Sequence, residues 1–361
     1  MSLQPKPGVL EVEPYVGGEA AIAGHNRVIR LASNENPLGA SPHATAAYRA
    51  HAEELHRYPD GGAAALRAAI AETHGLDPAR IVCGAGSDEL IALLVRAYAG
   101  EGDEVLHSAH GFLIYAIAAR AAGAIPVPAP ERDLTADVDS LLARVSTKSR
   151  LLFLANPNNP TGSYLPTAEI ARLREALPDE VLLVIDAAYA EYVEARDYEA
   201  GAALVEARDD VVMLRTFSKI HGLASLRLGW AYCPPAVADV LHRVRGPFNV
   251  SMAAQEAGAA AMRDREHVAR SCAHNTAALA RFALQCRELG LEPAPSVGNF
   301  LLIQLPDEPG RDAASAVAHL KSRGILVRAM AAYGLPDRLR ITIGTDEDMA
   351  AVAEALAELR S

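Results

Sequence analysis

The 361-residue chain predicts an α/β protein: a large domain with a mostly parallel central sheet flanked by helices, followed by a smaller α+β domain. Three observations carry that expectation. Short apolar runs rich in Val, Ile and Leu alternate with helical stretches over roughly the first two thirds of the chain, as strands buried on both faces require. Polar residues fall directly after those runs, where the carboxyl ends of parallel strands present ligand-binding loops. Beyond Phe248 the alternation gives way to a long Ala-rich helical tract and then to shorter strands mixed with helices.

Taken in order, residues 1–40 are Pro- and Gly-rich, with Leu31-Ala32-Ser33-Asn34-Glu35-Asn36-Pro37 dense in turn formers, and read as an extended arm. A large domain is expected over 41–250 and a small one over 251–361. Arg57 to Gly62 is a turn, and a helix follows from about Ala63 to His74. Ile81-Val82-Cys83 reads as a strand end, Gly84 to Glu89 as a small-residue loop, and Leu90 to Ala99 as a buried helix. A strand, a Gly-rich loop and a helix N-terminus together make an anion site. Glu104-Val105-Leu106 is the next strand, and its loop delivers His110 to Tyr115, where an aromatic can stack on a flat cofactor or pack in the core. Leu151 to Leu154 is a strand that ends in Asn156 to Gly162, whose two prolines impose a rigid turn. Val181 to Ile185 runs straight into Asp186-Ala187-Ala188-Tyr189. A buried Asp needs a partner; a protonated ring nitrogen is one, and capping the next segment is another use.

Val211 to Leu214 is the last strand of this series and leads to Thr216-Phe217-Ser218-Lys219. An amine leaving a buried strand end is costly to desolvate, and a lysine of lowered pKa is a nucleophile toward an aldehyde. In the smaller domain, strands are expected at Asn299 to Ile303, Gly324 to Arg328 and Leu339 to Gly344, with a terminal helix from about Asp346 to Arg360. Arg328 and Arg340 lie in apolar strand contexts, where the guanidinium fork suits a carboxylate or phosphate.

Composition narrows the function classes. A formal net charge of −11 disfavours nucleic acid or an anionic membrane as partner, while leaving room for a small anion bound by a local Arg cluster. No apolar run approaches the roughly 20 residues that span a bilayer, and no charged-then-apolar leader is seen, so a cytoplasmic protein is expected. The four cysteines and twelve histidines show no metal-ligand spacing, so no metal is assigned.

Read together, Asn34 to Pro37, His56 to Pro59, Gly84 to Glu89, Asn156 to Gly162, Asp186 to Tyr189, Ser218-Lys219 with Arg227, Arg245 to Asn249 and Leu339 to Gly344 span nearly the whole chain. In this order and spacing they resemble the fold type I pyridoxal-phosphate aminotransferases and, within them, the histidinol-phosphate aminotransferase family. The resemblance implies pyridoxal 5′-phosphate as cofactor, carried by Lys219, which also moves a proton between Cα and C4′. It implies Asp186 at the pyridine nitrogen, Asn158 and Tyr189 at the ring hydroxyl, and Phe112 on the ring face. The phosphate is expected on Ala85, Gly86 and Ser87, with Ser218, Arg227 and Tyr58 of the partner subunit. Arg340 and Arg328, with Tyr15 of the partner subunit and Asn34, are implied for substrate. A homodimer is implied, with the arm packing on the small domain and the partner.

The implied reaction is transamination of L-histidinol phosphate with 2-oxoglutarate, giving imidazole-acetol phosphate and glutamate in histidine biosynthesis. An aromatic amino-acid aminotransferase on the same scaffold is the alternative, followed by a threonine-phosphate decarboxylase-like enzyme. A ligand-binding regulator is disfavoured, because Lys219 and Asp186 are both present. Two departures stand out. Many relatives have Asp-Glu-Ala-Tyr where this chain has Asp186-Ala187-Ala188-Tyr189, and Pro-Thr-Tyr or Pro-Thr-Phe in place of His110-Gly111-Phe112.

Overall fold

The computed structural model describes residue 5 and residues 8–15, 17–19, 21–25 and 27–359. Seven strands form the main sheet: β1 (Ile81–Gly84), β2 (Glu104–Ser108), β3 (Ile125–Ala129), β4 (Ser149–Ala155), β5 (Leu182–Asp186), β6 (Val211–Thr216) and β7 (Gly229–Tyr232). Their order is β1-β7-β6-β5-β4-β2-β3. The pairings among β2 to β6 are parallel, and β7 runs antiparallel between β1 and β6.

Alternation along each strand explains the layers. Leu152, Leu154, Leu183, Ile185, Val211 and Met213 enter one core with the helices Pro42–Ala50, Ala64–His74, Thr167–Ala176 and Met252–Arg263. Leu151, Phe153, Val184, Val212 and Leu214 face the opposite way, onto Ser87–Tyr98, Ile114–Ala122 and Pro235–Val244. The inner strands β4, β5 and β6 are thus buried on both faces, which is why their sequences are nearly all apolar.

Two strands of the main sheet were not expected. In β3, Pro126 and Pro128 break the apolar run, yet the strand lies at the sheet's edge, where missing N–H groups are tolerated. In β7, Gly229 packs so closely that a Cβ there would lie 2.4 Å from the Ser87 nitrogen.

A second sheet of four antiparallel strands contains β8 (Glu292–Pro293), β9 (Phe300–Gln304), β10 (Arg328–Ala329) and β11 (Arg338–Thr342), in the order β8-β9-β11-β10. The helices Arg265–Glu288, Ala313–Ser322 and Asp346–Glu358 share its core. The expected single strand over 324–328 is instead two: Ile325–Leu326 pairs in parallel with Ile29–Arg30 of the arm, and Arg328 begins β10. The long Ala-rich tract is likewise two helices, separated at Asp264, whose side chain caps the second. The first of them packs with the large sheet's core although it lies beyond position 250. Among the described residues no helix is long and apolar enough to cross a membrane.

Candidate active site

Loops leaving the carboxyl ends of β1, β2, β4, β5 and β6 meet β10, β11 and the arm around a cavity of about 340 Å³. Tyr15, Asn34, Ser87, Phe112, Asp186, Tyr189, Ser218, Lys219, Arg227, Arg328 and Arg340 all line it. Residues more than 300 positions apart in sequence therefore converge on one space, as the strand-end argument required.

At one wall, β1 ends and Gly86, with φ 92°, turns the chain into the helix Ser87–Tyr98. No side chain caps that helix, so its first-turn N–H groups remain as anion donors. The Gly86 φ of 92° is one that L side chains rarely adopt, and a Cβ there would lie 2.6 Å from Arg227 Nη2, so a larger residue would be strained and would displace the guanidinium. Arg227 is itself held, donating to Asp88 Oδ2 at 2.8 Å and to the Ala224 carbonyl at 3.0 Å. Ala85 differs from expectation: it does not line the cavity, and its N–H is taken by Glu89 Oε2 at 2.6 Å.

Asp186, the last residue of β5, is 5% exposed. Its Oδ2 accepts the Tyr115 hydroxyl at 2.7 Å, while Oδ1 is buried without a partner. Burial pushes its pKa up to about 6, against the Tyr115 hydroxyl and the Ala188 amide, which favour the ionised form. Lys219 Nζ donates to the Ser33 carbonyl at 3.1 Å and lies 5.6 Å from the centre of the Tyr189 ring. Burial, then the positive charge of Arg340, lowers its pKa to about 8.

The Tyr189 hydroxyl accepts from Asn34 Nδ2 at 2.8 Å. Asn34 is fully buried in a left-handed conformation, φ 56°, and its Oδ1 accepts from Thr342 Oγ1 at 3.1 Å. Asn34 thus orients Tyr189 as well as bordering the cavity.

In the Asn156 to Gly162 turn the structure favours the neighbour of the expected residue. Asn158 points away, its Nδ2 donating to Thr161 Oγ1 at 2.9 Å and to the His110 carbonyl at 3.3 Å. Asn159 lines the cavity and accepts through Oδ1 from Arg340 Nη1.

Arg340 is 5% exposed and also donates to the Ala32 carbonyl at 2.7 Å. Arg328 and Arg340 are direct register partners across β10 and β11. The Arg328 guanidinium sits 5.9 Å from the centre of this chain's own Tyr15 ring, so Tyr15 borders the cavity of its own chain. Tyr58 is 81% exposed and lies outside the cavity, stacked on Phe248 at 4.7 Å. Sequence reasoning missed Asn159, Tyr115 and Tyr333; the first two sat inside motifs already singled out, and Tyr333 carried no signal of its own.

The residues fit the cofactor that the sequence resemblance implies. The unpartnered Asp186 Oδ1 is an acceptor without a donor, the uncapped helix provides donors without an acceptor, and a side chain at Gly86 would displace the Arg227 guanidinium beside them.

Comparison with known proteins agrees. The family model described as aminotransferase class I and II matches residues 26–356. A histidinol-phosphate aminotransferase of Rhodospirillum centenum is 61% identical over 354 residues, covering 98% of each chain. One from Paramagnetospirillum magneticum is 59% identical, again with 98% of each chain covered. The crystal structure of histidinol-phosphate aminotransferase from Sinorhizobium meliloti in complex with pyridoxal-5′-phosphate superposes with a TM-score of 0.88 at 30% identity, over 97% of this chain and 96% of that one. The chain belongs to the class I and II aminotransferases and, within them, to the histidinol-phosphate aminotransferase family.

Proposed function

We propose that this enzyme transfers the amino group of L-histidinol phosphate to 2-oxoglutarate, with pyridoxal 5′-phosphate as cofactor. Asp186 would hold the ring nitrogen, Tyr189 and Asn159 the ring hydroxyl, and Phe112 a ring face. Gly86, Ser87, Ser218 and Arg227, with Tyr58 of the partner subunit, would hold the phosphate. When bound, the cofactor supplies an electron-withdrawing ring that stabilises the carbanion left at the substrate's Cα.

The chain's own groups set up that step. With a pKa of about 8, roughly a tenth of Lys219 is neutral at pH 7, against well under a thousandth for an unperturbed lysine. Neutral Nζ can attack an aldehyde and later take the proton from Cα.

One observation carries the choice of substrate. Arg328 and Arg340 face each other across adjacent strands at the cavity wall. Like charges in that relation are destabilising, and a phosphate dianion offers both guanidinium groups a charge-assisted partner. The carboxylates of the dicarboxylic co-substrate suit the same pair.

We also infer a cytoplasmic protein from the reaction proposed, and a homodimer, since Tyr58 and Leu55 are each 81% exposed and Phe248 is 45% exposed, an apolar surface that a second copy would cover. We divide the chain into the arm, a large domain and a small domain, with the second boundary drawn at Asp264, where Met252–Arg263 has joined the large core.

The test uses Arg328→Gln and Arg340→Gln. Both variants are expected to raise KM for histidinol phosphate tenfold or more, that is, by ~1.4 kcal/mol or more. If histidinol phosphate is handled as well by both variants as by the parent enzyme, while amino transfer to phenylpyruvate is lost only on replacing Arg340, the enzyme is an aromatic aminotransferase instead.

A further inference from the structure

We propose that Tyr115 is a positioning residue for the cofactor: through Asp186, its phenol sets how firmly the site holds and protonates the pyridine ring. The proposal rests on the reading of Asp186 as the partner of the ring nitrogen.

Asp186 has two oxygens and two different environments. Oδ2 accepts the Tyr115 hydroxyl at 2.7 Å, and Oδ1 is buried without a partner. A hydrogen bond to one oxygen fixes the plane of the carboxylate and leaves the other for a donor in the cavity that Asp186 lines. The backbone is fixed as well. The Asp186 carbonyl accepts from Asn156 at 2.9 Å, and Asp186 pairs with Ala155 at the end of β4.

The phenol has no freedom to leave. Tyr115 is fully buried, its ring stacked on Phe153 with centroids 4.7 Å apart and planes within 8°. The Phe112 ring meets it edge-on at 6.0 Å. Tyr115 therefore touches both the aromatic wall of the cavity, through Phe112, and the carboxylate at its base.

Electrostatics gives the contact a direction. Burial favours the protonated, neutral form of Asp186, which cannot pair with a pyridinium. A donor on Oδ2 favours the ionised form. The phenol is a dependable donor, because burial and the adjacent Asp186 push its own pKa well above the ordinary tyrosine value. Groups that bear on Asp186 from neighbouring elements are the Ala188 amide, Asp88 and Lys219. Of the side chains that bear on it, only the phenol hydrogen-bonds to the carboxylate, and a substitution there removes that one contact.

Tyr115→Phe keeps the ring and deletes the hydroxyl. Apoenzyme titrated with pyridoxal 5′-phosphate should bind about ten- to a hundredfold more weakly, the range for a lost hydrogen bond to a charged group. With 15N-labelled cofactor, the ring-nitrogen resonance should move toward its deprotonated position. Asp186→Asn should bind more weakly still, and Tyr115→Phe added to it should cost no further affinity. Phe153→Leu, which loosens the stacking and keeps the phenol, should lower Tm and leave affinity within about twofold. Parent-like affinity and resonance in Tyr115→Phe, with Asp186→Asn weak, would overturn the role of Tyr115 alone. So would a further loss in the double variant, or a Phe153→Leu effect as large as that of Tyr115→Phe. Parent-like affinity in Asp186→Asn would overturn both this proposal and the assignment of Asp186 beneath it.

Discussion

Asp186 and Lys219 are each held in an environment that penalises the charged form, and each penalty has a pH signature. For Asp186 the folded pKa, about 6, lies above the unfolded value of about 3.9. The folded apoenzyme then binds more protons than the unfolded chain between those values, so this residue's contribution falls as pH rises from about 4 to 6. Above that window the buried carboxylate costs about 3 kcal/mol. Asp186→Asn should accordingly make the apoenzyme more stable than the parent by up to that amount at pH 7.5. Urea unfolding should show the gap opening across pH 4–6, and a gap that does not change with pH would contradict the burial argument. For Lys219 the sign is opposite: its folded pKa of about 8 lies below the ordinary lysine value, so the buried charge costs stability in full below about 8 and the cost is relieved as pH rises. The rate at which apoenzyme captures pyridoxal 5′-phosphate, followed by absorbance, should rise with pH and level off above about 8. A rise that continues to pH 10 would mean an unperturbed amine. Asp186 was legible in the sequence because a charge directly after five apolar residues has few harmless explanations; Lys219, four polar and aromatic residues past Leu214, was legible only together with the other motifs. Asn158 and Asn159 were not separable in that way. In a tight turn nothing in the local pattern tells which of two adjacent amides faces the cavity; that was decided by Thr161 and the His110 carbonyl on one side and Arg340 on the other.

At the scale of elements, the parallel strands were readable because burial on both faces writes a continuous Val, Ile and Leu run. Strand β7 was hidden, since its four residues, Gly229-Trp230-Ala231-Tyr232, resemble a loop until neighbours on both sides supply hydrogen bonds. Its insertion between β1 and β6 brings Trp230 opposite Arg215, whose guanidinium lies 5.6 Å from the indole and pairs with Glu191 at 2.7 Å. Burial raises the Glu191 pKa, but Arg215 and His221 outweigh it, and the carboxyl is held below its usual value. This buried pair braces β6 just ahead of Lys219 against the turn after Tyr189. Arg215→Ala leaves Glu191 uncompensated and should cost about 3–5 kcal/mol. Urea unfolding of the apoenzyme checks it; a loss under 1 kcal/mol would mean that water reaches Glu191 in the parent. The arm shows a different limit of sequence reading. Ile29–Arg30 pairs with Ile325–Leu326, a contact across nearly the whole chain that no local periodicity encodes.

For the whole molecule, the expected outcome is a dimer with shared sites, since Tyr58 stands outside its own chain's cavity. Lys219→Ala and Tyr58→Ala, each impaired as a homodimer, should recover activity when refolded together. In a mixed dimer one of the two sites holds both an intact lysine and an intact tyrosine. No recovery above the sum of the separate variants would mean that Tyr58 serves no neighbouring site. Substrate preference decides the function, and a single-turnover half-reaction on cofactor-loaded enzyme reads it without interference from later steps. Histidinol phosphate and phenylalanine are added separately, and the bound cofactor's absorbance is followed to the pyridoxamine form. Rapid conversion by histidinol phosphate at low concentration, with sluggish conversion by phenylalanine, is the result expected from the paired arginines. The reverse preference would contradict it and reassign Arg340 to the α-carboxylate of an aromatic amino acid.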